Sequence, residues 1–345
     1  MKTAVVLFNL GGPDRPEAVR GFLRNLFGDR AILRVPWPIR PLLASFIARR
    51  RAPTAAEIYR EIGGRSPILP ETEKQAAALT DALGNPEMRV FIAMRYWHPM
   101  SDQTARDVKE WGADHVLLLP LYPQFSTTTT QSSLDAWHKA ARAAGLSVPT
   151  RAVCCYPTAS GFVAGYAALI KDALAETADQ PVRVLFSAHG LPERIVESGD
   201  PYVWQVEQGA AAIAAAVGLD DTQWRVCFQS RVGPLKWVGP ATEDEIKAAG
   251  RDGMGLIVVP IAFVSEHSET LVELDIEYRA LADDAGVPRY IRVPALGTQP
   301  AFVEALQDIV TAMASRDDPA LCSHGGGRLC PSGHAGCPVA MGAAA

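Results

Sequence analysis

His189 closes an apolar run in Ser187-Ala188-His189-Gly190-Leu191-Pro192, just ahead of a glycine and a proline that turn the chain. Imidazole changes charge near neutral pH, so a histidine placed there can accept a proton or bind a metal. A second segment, Val264–Tyr278, follows another apolar run. Its Ser265 stands where a helix N-cap is expected, and its early glutamates suit the positive end of a helix. Glu269, Glu273 and Glu277 recur every fourth residue and form one acidic ridge, with Glu266 just before it. Like charges at that spacing cost a helix about 0.2–0.5 kcal/mol per pair, and the segment holds no Lys or Arg to offset them. A cation, a proton path or plain solvent must lie beside the ridge, while Leu271 and Leu274 mark the face turned to a core.

A third group of reactive side chains is Cys322-x7-Cys330-x6-Cys337. The tail around it is built of Gly, Pro, Ser and His and cannot order itself by burial, whereas a bound metal supplies folding energy. Three thiolates need a fourth ligand. Cys154 or Cys155 would give the four cysteines that iron–sulfur clusters prefer; His324 or His334 would give a Cys₃His zinc site. Other chemistries have no signature here. Gly-x-Gly-x-x-Gly, the phosphate-binding Gly-x-x-x-x-Gly-Lys-Ser/Thr loop and the Gly-x-Ser-x-Gly nucleophile elbow are all missing.

The elements that must carry these residues are legible in the apolar pattern. The 345 residues predict two domains or one large one, and 48% hydrophobic with 21% charged residues excludes disordered, collagenous and coiled-coil chains. A net charge of −5 argues against a nucleic-acid binder. No apolar run reaches the ~18 residues of a membrane span, and the apolar start ends at Gly11-Gly12-Pro13 without a cleavage site, so it is expected to be a strand. Clustered rather than paired cysteines fit a cytoplasmic chain.

Eight short runs alternate with helical stretches: Ala4–Leu10, Arg89–Tyr96, His115–Leu121, Ala152–Tyr156, Val182–Ala188, Arg225–Gln229, Leu256–Val264 and Tyr290–Val293. Their continuous hydrophobicity predicts parallel strands covered on both faces, hence an α/β, doubly wound architecture. The runs also match in pairs. Val6-Leu7-Phe8 matches Val184-Leu185-Phe186 at an offset of 178, and the next three pairs match at offsets of 136, 140 and 139. This predicts two similar halves, each with a four-stranded parallel sheet, over residues 1–160 and 161–300, with a C-terminal helix and cysteine-rich tail over 301–345. The fall in offset leaves 42 extra residues in the first half, an insert at about 28–70 containing Trp37–Arg51, apolar and then triply basic. It follows a strand's carboxyl end, where open α/β sheets bind ligands, so it reads as a lip over a large apolar ligand bearing carboxylates. It also permits contact with a membrane surface.

Several blocks together resemble the ferrochelatase family over about residues 3–310. They are Leu7–Pro13, Ile58–Pro67, Arg95-Tyr96-Trp97-His98-Pro99, Ser187–Pro192, Val232-Gly233-Pro234 through Trp237, and Glu266–Tyr278. The resemblance implies a chelatase-like fold and a lyase that inserts Fe²⁺ into protoporphyrin IX, releasing two protons, in the last step of haem synthesis. It implies that His189 abstracts pyrrole protons or receives iron, that Glu269 is the facing carboxylate, and that Glu273, Glu277 and Glu266 form an acidic path. It places Arg51, Tyr59, Ser66, Arg95 and Tyr96 around the porphyrin and its propionates, Trp237 on the pocket wall and Leu10 at the lip. The tail resembles the [2Fe–2S]-bearing extensions of some members. It departs from the animal pattern, having Thr127 at the internal cysteine position, so Cys154 or Cys155 would complete Cys322, Cys330 and Cys337. A coproporphyrin III ferrochelatase of the same fold and a non-catalytic porphyrin- or haem-binding protein remain as alternatives. His189 and Glu269 together favour the enzyme, and the apolar Leu42–Ile47 stretch favours protoporphyrin.

Overall fold

Each apolar run becomes a strand, in a computed structural model that describes residues 1–177, 180–231, 233, 235–315 and 320–339. Val232 and Pro234 of the motif before Trp237, and the tail from 340 onward, lie outside the described residues. Strands β1 (Thr3–Asn9), β2 (Met88–Met94), β3 (His115–Pro120) and β4 (Thr150–Val153) build the first sheet, in the order β2-β1-β3-β4. Strands β5 (Val182–His189), β6 (Trp224–Gln229), β7 (Gly255–Val259) and β8 (Tyr290–Arg292) build the second, in the corresponding order β6-β5-β7-β8. All pairings are parallel. All seven residues of β1 are buried, as a strand covered on both faces requires.

The first sheet has one strand more than the sequence pattern predicts. The tail contributes β9 (Leu321–Cys322), which pairs with β4 through Ala152–Leu321 and Val153–Cys322. Two residues are too few to show a periodic signal. Several apolar runs also outlast their strands, most of all those of β4 and β7. Cys154, Cys155 and Tyr156 after β4, and Ile261 and Val264 after β7, stay buried although they have left the sheet.

Helices α1 (Val19–Gly28), α2 (Ile39–Arg60), α3 (Ile68–Leu83), α4 (Ser101–Trp111) and α5 (Thr130–Ala144) belong to the first half. Helices α6 (Ser160–Glu176), α7 (Glu193–Glu197), α8 (Tyr202–Val217), α9 (Thr242–Arg251) and α10 (Tyr278–Asp284) follow. Helix α11 (Pro300–Ser315) packs on α3 and α6 and returns to the first sheet. One core joins the halves, with Leu7 and Leu119 on one side, Phe186 and Val259 on the other, and Phe162, Tyr166 and Phe302 between them. Helices α5 and α8 stop where Gly145 and Gly218 take φ of 67° and 90°, a left-handed turn that favours glycine.

The insert is built around a 22-residue helix, α2, which packs on α1 and buries Ala44, Ala48 and Tyr59. Near its start Trp37, Ile39, Leu42 and Phe46 are 75%, 56%, 77% and 62% exposed. Among the described residues no helix is long and apolar enough to cross a membrane.

Candidate active site and cysteine centre

The carboxyl ends of β5, β6 and β7 converge on one group of side chains. His189, the last residue of β5, brings Nδ1 to 3.0 Å from Glu269 Oε2. Glu269 opens a π-helix, Glu269–Glu277, whose i→i+5 bonding replaces the ordinary helix expected there. Its N-terminus is not capped by Ser265. The N–H groups of Glu269 and Thr270 donate to His267 Nδ1 at 3.1 and 3.3 Å, and His267 N–H donates to Thr270 Oγ1 at 3.0 Å, a reciprocal cap. Ser265 Oγ instead donates to Gln75 Oε1 at 2.8 Å and accepts from Asn9 Nδ2 at 3.1 Å, tying β1 and α3 to the π-helix segment.

Burial opposes charging His189, but the Glu269 carboxylate beside it, with Glu273 behind, outweighs burial and raises its pKa above the usual value. Burial likewise opposes the charge on Glu269, and there His189 and His267 win, holding its carboxyl down at about 2. Each partner thus favours the charged form of the other. Burial and then the Glu269 charge push Glu273 above the ordinary carboxyl range. Its carboxylate accepts from Gln229 Nε2 at 3.0 Å, from Ser230 N–H at 2.7 Å and from the Ser230 hydroxyl. Ser230 reaches it from a left-handed φ of 59°, a strained conformation for a serine. Ser187 Oγ donates to Gln229 Oε1 at 2.8 Å and so orients the amide.

The remaining acidic residues separate. Glu277 is exposed. Glu266 faces Arg292 of β8 at 2.6 Å and also accepts from Ala295 N–H at 2.9 Å. Arg292 Nε meets Asp275 at 2.8 Å as well, so the positive charge missing from the segment arrives from another strand.

Of the lip residues, Tyr59 is buried and lies against Ser268 and Glu269; burial pushes its pKa up to about 12. Ser66 is buried under Gly12, where a Cβ would overlap its hydroxyl. Leu10 packs beside Tyr59 and Tyr96. Arg51 is exposed, 5.8 Å from the Phe27 ring centre. Arg95 and Tyr96 are engaged inside the protein: Arg95 Nη2 and Tyr96 OH each donate to Asp29 Oδ2 at 2.7 Å, and Ser132 donates to the same oxygen. Burial works against the charge of Asp29, yet Arg95 and these hydrogen bonds hold its carboxyl below the usual range. Trp237 bridges Pro192 beside the His189 turn and lines a shallow groove of about 410 Å³ with Arg231, Glu243 and Lys247. Asp29, Gln229 and Ser230 carry no sequence signal, because their partners lie far along the chain, and His267 takes the cap place that residue type assigns to Ser265.

The cysteines gather at the carboxyl end of β4, on the β4–β9 edge of the first sheet. Cys154 and Cys155 leave β4 with their sulfurs 3.5 Å apart, packed in one buried cluster with Cys330 and Cys337, and Cys322 sits on β9 beside them. Hydrogen bonding to Cys154, burial and the neighbouring cysteines all raise the Cys155 pKa. The tail holds its shape through Arg328, whose guanidinium donates to the carbonyls of Cys330, Pro331, His334 and Val339. Among the described residues no three His, Cys, Asp or Glu side chains converge as metal ligands do.

The ferrochelatase family model matches residues 2–314. The chain belongs to the ferrochelatase family. Ferrochelatases from Caulobacter vibrioides and Phenylobacterium zucineum are 51% and 52% identical to it; the alignments cover all of this chain and 99% and 100% of theirs. One from Rickettsia bellii is 45% identical, over 97% of this chain and 94% of its own. Among solved structures, sirohydrochlorin chelatase SirB from Bacillus subtilis subspecies spizizenii, in complex with cobalt, has a TM-score of 0.53 at 14% identity, over 92% of this chain and 97% of that one. That likeness shows the chelatase fold. Family membership carries insertion of ferrous iron into a porphyrin, a lyase reaction of haem synthesis.

Proposed function

We propose that this chain inserts Fe²⁺ into protoporphyrin IX, with the His189–Glu269 pair as the reacting centre. The observation that carries the reading is that pair: two titratable groups 3.0 Å apart at a strand's carboxyl end, each with its pKa displaced by the other. Two pyrrole protons must leave for iron to enter, and the pair supplies an imidazole and a carboxylate, both suited to a proton or to ferrous iron. Glu273, raised above the ordinary carboxyl range, is the next group able to take a proton. From it the path continues to Glu277 at the surface, while Glu266 steadies the π-helix through Arg292.

The macrocycle would lie between the lip and the second half, against Leu10, Tyr59, Ser66 and Trp237, with Arg51 free to meet a propionate. Arg95 and Tyr96 support the lip through Asp29. The exposed Trp37, Ile39, Leu42 and Phe46, with Arg40 and Arg49–Arg51 nearby, suit a peripheral membrane contact, and we read the chain as cytoplasmic with that face turned to a bilayer. We divide the chain at 1–160, 161–300 and 301–345.

We read the cysteines as ligands of a [2Fe–2S] cluster, on the chemistry of their donor set. Cys330, Cys337 and Cys322 would be joined by Cys154 or Cys155 in an all-sulfur donor set buried in an apolar shell, and the cluster would supply one-electron chemistry there.

The decisive experiment is anaerobic turnover of Fe²⁺ with protoporphyrin IX and with coproporphyrin III by wild type and His189→Ala. Faster turnover of protoporphyrin, lost in the variant, supports the reading. Faster turnover of coproporphyrin overturns the substrate, and full activity in His189→Ala overturns the site.

A further inference from the structure

Gln205, on the second turn of α8, has none of its surface exposed, and its amide has two partners. Oε1 accepts from the Phe125 backbone N–H at 2.8 Å. Nε2 donates to Cys330 Sγ at 3.1 Å. The first contact fixes the second, because only the oxygen can face a backbone N–H, so the NH₂ must face the sulfur. A buried amide donor gains little from a neutral thiol and much from a thiolate, and the apolar surroundings of Phe125, Trp204, Leu329 and Val339 strengthen that bond.

The side chain is held in this pose from several directions. Asp200, just before α8, is buried and accepts from Tyr202 N–H at 3.0 Å, from Ser126 Oγ at 3.0 Å, and from Thr127 N–H and Oγ1 at 2.7 Å each. It thereby clamps the loop whose Phe125 N–H orients Gln205. Gly199 brings the tail close: Gly336 N–H donates to its carbonyl at 3.0 Å, and a Cβ at this position, where φ is 94°, would fall 2.9 Å from the Ala335 nitrogen. Arg328, the nearby cation, spends its donors on carbonyl oxygens.

We propose that Gln205 is a positioning residue for the cysteine centre: its amide donates to the Cys330 thiolate, and so governs how tightly the tail cysteines keep their metal and the potential at which that metal is reduced. This rests on reading the cysteines as a metal centre. A donor to a ligand sulfur stabilises the extra electron of the reduced state, so removing it lowers the potential. Removing such outer partners also weakens metal retention about 10–100-fold.

The test uses full-length protein purified without oxygen, as wild type, Gln205→Leu and Gln205→Glu. Glutamate keeps an oxygen for Phe125 N–H and so controls for folding, but sets a carboxylate against the thiolate. Iron and sulfide per chain, the visible spectrum, the reduction potential and the rate of metal release to a chelator are measured. The expected result is release at least tenfold faster in both variants, fastest in Gln205→Glu, with a lower potential in Gln205→Leu. Release at the wild-type rate and an unchanged potential in both variants overturn the proposal. If wild type carries zinc, the cluster reading fails and release of zinc decides Gln205 on the same tenfold criterion. If wild type carries no metal, both readings fall.

Discussion

Two ion pairs stand at the carboxyl ends of the sheets, and they differ in how much is left over. Arg95–Asp29, at the base of the lip, closes at 2.7 Å with side chains 19% and 9% exposed. Tyr96 and Ser132 fill the rest of the same carboxylate oxygen. His189–Glu269, in the second half, closes at 3.0 Å with side chains 38% and 31% exposed. Among the described residues nothing hydrogen-bonds to His189 Nε2 or to Glu269 Oε1. The first pair fastens elements together; the second leaves one ring nitrogen and one carboxylate oxygen unengaged and partly exposed. Similar chemistry thus serves as a fastening or as a reactive centre according to how far its neighbours satisfy it.

Mutation should separate the two. His189→Ala is expected to lower iron insertion by about 10²–10⁴-fold, a loss larger than its cost in stability, read from steady-state rates and a thermal melt. Arg95→Met should show the opposite balance. It strands the buried Asp29 charge, so denaturant unfolding should show a loss of about 3–5 kcal/mol; a near-neutral result would mean that the first pair is not a fastening.

Glu269→Gln tests the coupling inside the reactive pair. With the carboxylate charge gone, burial prevails at His189 and its pKa falls. The acid limb of the kcat/KM profile should move to lower pH while the maximal rate drops. An unmoved limb would assign that limb to another group.

The same pair leaves a signature in stability. His189, raised in the folded state, contributes stability that is full below its unfolded pKa near 6.5 and is lost as pH rises through the folded value. Glu269, lowered to about 2, contributes stability that is present above 4.5 and lost as pH falls towards that value. The stability gap between wild type and Glu269→Gln should therefore be widest between about pH 4.5 and 6.5. A gap that does not vary with pH would show the pair to be uncoupled. Glu277→Gln is the smallest expected effect: stability within about 0.5 kcal/mol, and a modest slowing seen only in turnover.

Much of the fold was legible in the sequence, because strands buried on both faces write long apolar runs. The pairing of halves followed from matched runs, and the strand orders β2-β1-β3-β4 and β6-β5-β7-β8 carry the same pattern. His189 stood out because it ends an apolar run before Gly190-Leu191-Pro192, and Glu269 because it opens a four-residue acidic repeat; the structure brings the two to 3.0 Å. Their supports were not. Asp29 meets Arg95 across 66 residues of sequence and Gln75 meets Ser265 across 190, distances at which no local pattern survives. Ser265 looked like a cap by residue type, but Asn9 and Gln75 claim its hydroxyl and His267 takes the helix end. The π-helix was hidden for a similar reason. Glutamates four apart fall near one face of either helix type, so their spacing does not distinguish the two.

The pairing of β9 with β4 has a consequence for synthesis. Val153 and Cys322 are partners separated by 169 residues, so the growing chain carries an uncovered β4 edge while the whole second half is being translated. An open strand edge is a template for unwanted pairing between chains. The first half therefore leaves the ribosome with an unprotected flank. It waits, open to self-association or to a chaperone, until the cysteine segment arrives to cover it.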